Sequence, residues 1–99
     1  MNTNTFQFKS KVWIWPGESG WHFISLPTSL AEKIIKNFGH EMRGWGSLPV
    51  EVSIGQSIWK TSIFKDKKNN SFLLPLKAVV RKKESISEGN VLKIKLTIL

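Results

Sequence analysis

Two stretches of strict alternation constrain this chain most. Leu48, Val50, Val52 and Ile54 alternate with Pro49, Glu51 and Ser53, and Leu92, Ile94, Leu96 and Ile98 alternate with Lys93, Lys95 and Thr97. A period of two places every apolar group on one face of an extended chain, which marks half-buried strands of an antiparallel sheet. Phe6, Phe8, Val12 and Ile14 share one face of a third strand, whose other face turns apolar at Trp13 and Trp15. Pro16-Gly-Glu-Ser-Gly20 is turn chemistry, and Trp21–Leu26 reads as the return arm of a hairpin. Gly55-Gln56 suits a two-residue type II′ turn into a partner strand, Ser57–Phe64. Lys65–Asn70 is a polar loop before a fifth strand, Ser71–Leu76, and Ser87-Glu88-Gly89-Asn90 turns the chain into the sixth.

A different period governs the middle of the chain. Leu30, Ile34 and Phe38 recur every fourth residue, flanked by Ala31 and Ile35, which predicts a helix over about 29–38 with that stripe on the core. Ser29 and Glu32 have capping-box spacing, and Gly39 is placed to end the helix in the left-handed region. Lys77–Lys83 adds one or two helical turns, over about 77–84. Six short strands around one core, with a single full helix, predict a mainly β fold, a closed or nearly closed antiparallel barrel. With 99 residues and no linker or internal repeat, residues 1–99 read as a single barrel domain, with 1–5 frayed.

Composition narrows the chemistry. There is no Cys, so disulfides, thiolate zinc sites and cysteine nucleophiles are excluded. The start MNTNTFQFKS lacks an apolar core of signal-peptide type. The longest apolar run, Phe72–Val80, is broken by Pro75 and Lys77, so no membrane association is expected. The expected setting is cytoplasmic. Fifteen basic residues face seven acidic ones, a net charge of +8, and the second half of the chain holds most of the excess. Polyanions and acidic partners therefore belong among the candidate ligands.

Taken in order, Phe8, Trp21-His-Phe23, Leu26-Pro27, Gly44-Trp45-Gly46-Ser47, Ile54-Gly55 and Trp59-Lys-Thr61-Ser62-Ile-Phe64 carry a family resemblance. It continues through Leu74-Pro75-Leu-Lys77-Ala-Val-Val-Arg81-Lys82, Ile86 and Gly89-Asn90. The chain resembles domain-of-unknown-function family nineteen-oh-five over nearly its whole length. That resemblance implies a stand-alone bacterial six-stranded Greek-key barrel with a helix packed on it, and no established activity. Asn90 stands where members of the family usually have Asp, and either residue suits the turn. A shorter string, Leu74-Pro-x-Lys77 through Arg81-Lys82 to Gly89-Asn90, is similar to the signature of AbrB-type DNA-binding regulators. A short basic helix leading into a turn and a strand produces that string on structural grounds too, so DNA binding stays an alternative.

The candidate site is basic and aromatic. Lys77 and Arg81 are four apart and share a helical face, Lys82 widens it, and Arg offers a planar fork for phosphate or carboxylate. A solvated, solubilising face is the competing reading. Lys65, Lys67 and Lys68 lie on a loop that reaches the same patch if the fold closes that way. Five Trp and no Tyr are unusual, and indoles beside cations stack planar ligands, although aromatics also fill small cores. Trp45 and Trp59 are taken as the flat surface, Gly44 and Gly46 as a close backbone approach, and Thr61 and Ser62 as hydroxyl donors. Catalysis has little support. His22 and His40 are the only histidines, Asp66 is the only Asp, and distant Ser62, His22 and Asp66 form no motif. No catalytic residue, metal site or cofactor is assigned. The reading is a non-catalytic binding module for an anionic small molecule with a planar part. The alternatives are a DNA- or RNA-binding barrel, a protein-interaction domain for an acidic partner and, last, an enzyme.

Overall fold

The computed structural model describes residues 4–17 and 20–99. Its elements are β1 (Thr5–Ile14), β2 (His22–Ser25), α1 (Thr28–Phe38), β3 (Ser47–Ile54), β4 (Ser57–Asp66), β5 (Ser71–Pro75), α2 (Ala78–Lys83) and β6 (Val91–Ile98). Six antiparallel pairings close these strands into a barrel in the order β1-β2-β5-β4-β3-β6. The run β6-β3-β4-β5 is a Greek key, three hairpin-linked strands with a fourth returning beside the first. Closure leaves no continuous open edge.

Alternation decides what faces inward. Leu48, Val50, Val52 and Ile54 are buried, as are Ile94, Leu96 and Ile98, while the residues between them are exposed or half-buried. Gly55 has φ +58, and Gln56 is not among the positive-φ residues, so the β3–β4 turn is type II′ as expected. The turn into β6 has Gly89 at φ +89 and an Asn90 N–H to Ser87 O bond of 3.1 Å, while the Asn90 Oδ1 accepts from the Ser87 N–H at 2.8 Å.

Three local expectations are corrected. Ser29 is not the cap: Pro27 precedes the first helical residue, its carbonyl accepts the Ala31 N–H at 2.9 Å, and no side chain caps the helix. Pro27 already has an extended ψ of 142, so the cap lies two residues before Ser29, which falls inside the first turn. Gly39 is right-handed at φ −56, because the chain tightens into a 3-10 turn over Gly39–Glu41 before extending at Met42. The expectation of a frayed start over 1–5 is corrected at Asn4 and Thr5. Residues 1–3 lie outside the described residues, but Thr5 pairs with Thr97, and the Asn4 side-chain amide donates to Ile98 O at 2.8 Å.

Helix α1 packs beside β5 and buries Ile34 and Ala31 completely, with Leu30, Ile35 and Phe38 half-buried against the same core. Between β4 and β5 the barrel wall is incomplete. β4 is ten residues long, yet only Phe64, Lys65 and Asp66 pair with β5, opposite Leu73, Phe72 and Ser71. The chain after β5 turns into α2, whose Val80, with Ile86 beyond it, reaches the core. Glu84 comes back to the start of β4, accepting a hydrogen bond from Ser57 Oγ at 2.6 Å.

Candidate functional site

Where β5 leaves β4, the outer surface of the barrel forms a cleft of about 700 Å³. Register builds its floor. Phe23 lies opposite Pro75, Ser25 opposite Leu73, and Leu73 opposite Phe64, so these residues project from one side of the wall. The end of β1 and the start of β2 supply a flank, where the backbone N–H of Trp15 donates to Trp21 O at 2.8 Å and continues the hairpin past Ile14 and His22. Phe23 is the hub of the aromatic group. Its ring centroid is 5.3 Å from Trp13, 6.0 Å from Trp15 and 6.3 Å from Trp21. Trp13 is fixed by its Nε1 donating to Ser25 Oγ at 3.0 Å. Trp15 and Trp21 instead remain 46% and 61% exposed, a large apolar area for residues on one side of one cleft.

The opposite flank is cationic. Lys77, Ala78 and Arg81 come from α2 and the residue before it. Arg81 Nε donates to Leu76 O at 3.0 Å, which fixes the guanidinium and leaves its two terminal nitrogens without an acidic partner among the described residues. Among the described residues, no Asp or Glu lines the cleft. His22 lines it as well, with Nδ1 2.7 Å from Gly20 O. A carbonyl oxygen only accepts, so Nδ1 carries a proton in this contact.

The sequence-derived candidates separate on this geometry. Lys77, Arg81 and Thr61 line the cleft together. Lys82 is exposed on α2 next to Arg81, outside the lining. Ser62 is half-buried opposite Pro49, also outside it. Trp59 is on the inner face, opposite Val52, with its indole packed against the core and its Nε1 buried without a partner among the described residues. Gly44 and Gly46 lie in a 3-10 turn before Ser47, which pairs with Phe64 at the cleft's far edge. Gly46 has φ +66, and a Cβ there would stand 2.6 Å from Lys65 Cβ, so this glycine permits a close approach to β4. The Trp45 side chain lies outside what the structure describes. The loop after Asp66 does not reach Lys77: it joins β4 to β5 at the opposite end of β5 from α2, and Lys65 sits with its Nζ 5.6 Å from the centre of the Phe72 ring. Of the residues without a motif, Asp66 accepts from Asn69 Nδ2 at 2.8 Å within its own turn, away from His22.

Trp15, Trp21, Phe23, Phe64 and His22 are among the cleft residues that the sequence did not select. A signal existed for excluding Trp59. A two-residue turn at Gly55-Gln56 pairs Ile54 with Ser57, which forces Trp59 opposite inward-facing Val52.

A second basic surface lies on the outside of β1 and β6. Lys9 faces Lys93 directly, Lys11 faces Val91, and Lys95 faces Gln7 on one side and Ser53 on the other. All four lysines are exposed, and none makes a salt bridge with a described residue.

Among the described residues no helix is long and apolar enough to cross a membrane. No curated protein matches the chain. Residues 8–96 match the family described as Domain of unknown function (DUF1905). That span runs from Phe8 in β1 to Leu96 in β6 and takes in every strand of the closed barrel, so the chain belongs to the DUF1905 family.

Proposed function

We propose that this barrel is a non-catalytic binding module and that the cleft beside β2, β5 and α2 takes an anionic ligand with a planar part. One observation carries the reading: Lys77 and Arg81, without acidic partners among the described residues, flank the same concavity as the exposed indoles of Trp15 and Trp21. Cations over or beside aromatic faces bind flat anions by charge-assisted hydrogen bonding and stacking together. A volume of about 700 Å³ is within the usual range for small-molecule sites. The test is a fluorescence titration with 8-anilino-1-naphthalenesulfonate, a planar aryl anion. It should quench tryptophan emission at a single site, and Arg81→Lys should weaken binding by about 1–3 kcal/mol, because the charge stays but the fork is lost. Unchanged affinity in Arg81→Lys contradicts the reading.

The lysine face favours a second reading, nonspecific binding of DNA or RNA. Lys9, Lys11, Lys93 and Lys95 form a single-sign patch on the outer wall. Neutralising four duplex phosphates gives a log–log salt slope of about −3 to −4, and Arg81→Lys leaves it unchanged. Duplex DNA binding with that slope, lost in Lys9→Ala/Lys93→Ala, would put this reading first.

A further inference from the structure

The inference rests on the cleft being a ligand site and specifies what chemistry enters it. We propose that the ligand is an amphiphile with one anionic head, an aryl carboxylate, and that nucleotides are excluded. The reason is the shortage of polar partners. The floor made by Phe23, Phe64, Leu73 and Pro75 offers no side-chain donor or acceptor. The backbone groups of Phe23 and Leu73 lie within paired ladders, while β4 before Phe64 and β5 after Leu73 do not pair with each other. Among the described residues, side-chain polar capacity is confined to Lys77, Arg81, His22, Thr61 and the indole N–H groups of Trp15 and Trp21.

A nucleotide brings ribose hydroxyls, base edges and a phosphate, and most of them would lose water against this floor without gaining a partner. Each such group costs about 1–3 kcal/mol, so an apolar body is favoured over a polyhydroxylated one of equal size. The head group follows from Arg81. Its Nε is held by Leu76 O, so a side-on fork through Nε is closed and the end-on pair of terminal nitrogens remains. Two parallel nitrogens match the two oxygens of a carboxylate, with Lys77 adding a compact charge from the same flank. The body follows from the rings. Trp15 and Trp21 stand at 70° and 75° to the Phe23 ring, giving a flat apolar group both a floor and upright walls.

The experiment compares 1-naphthaleneacetate, its uncharged amide and adenosine 5′-monophosphate by calorimetry on the full chain. Naphthaleneacetate should bind at least about tenfold tighter than either of the others. Trp21→Ala should weaken it by about tenfold while leaving the thermal midpoint within a few degrees, since that indole is 61% exposed. Equal binding of the amide would show that no anionic head is recognised and would overturn the inference. Equal or tighter binding of the nucleotide, lost in Arg81→Lys, would overturn it while leaving the anion site intact. Binding of none of the probes would overturn both readings together.

Discussion

The outward face of β1 changes chemistry along its length. Lys9 and Lys11 project where β1 pairs with β6, and Trp13 projects, with Trp15 just beyond, where β1 pairs with β2. Over β6 the lysines border a smaller and more polar concavity, and Lys9 meets another lysine across the ladder. Over β2 the neighbouring wall opens, because β5 leaves β4 after three paired residues and α2 carries Lys77 and Arg81 across from the indoles. Both regions are basic. Only the second combines charge with a concave apolar floor, and that combination turns a cationic surface into a site for a discrete molecule.

The largest expected effect comes from the core that supports both regions. Ile24 is fully buried in β2, paired with Val12 on one side and Leu74 on the other. Ile24→Ala should cost about 2–5 kcal/mol in urea unfolding, through lost burial and a residual cavity. A loss below about 1 kcal/mol would mean that the two faces do not share a tightly packed core.

A smaller effect should fall on the cleft alone. Gly46→Ala forces a Cβ against Lys65 at a left-handed φ and should destabilise by more than about 1 kcal/mol. Gly44→Ala, in the same turn, meets open space and should be nearly neutral. In amide spectra, Gly46→Ala should shift Phe64 and its neighbours and leave Lys93 unmoved. Equal effects from the two glycines would remove the structural reason given for Gly46.

The smallest effect concerns the lysine face. Like charges directly across a ladder repel, so Lys93→Thr should stabilise the barrel by about 0.2–1 kcal/mol at low salt. The gain should shrink towards zero at about 1 M salt, where the Debye length is about 3 Å. A gain that persists at high salt would be β-propensity rather than relieved repulsion.

The alternation at Leu48–Ile54 and Leu92–Ile98 made the barrel's inner face readable, because each strand's pattern is local. The pairing of Lys77 with Arg81 was readable for the same reason, since four residues make one helical turn. The indoles that meet them were not. Trp15 and Trp21 reach the cleft through the β1–β2 hairpin, the β2–β5 register and the early departure of β5 from β4, all contacts between distant segments. Trp59 looked equivalent to them by composition, and only its register opposite Val52 sends it inside. The capping of α1 was misread because Ser29 and Glu32 fit a motif that Pro27 pre-empts by two residues.

The central claim is that the cleft, and not the lysine face, recognises an aryl anion. The most direct measurement is a nitrogen-15 amide and indole spectrum during titration with 1-naphthaleneacetate at moderate salt. The account predicts shifts at the Trp15 and Trp21 indoles and at the amides of Lys77, Ala78 and Arg81, with Lys9, Lys93 and Lys95 unmoved. Shifts concentrated on Lys9, Lys93 and Lys95, with the two indoles silent, would contradict it.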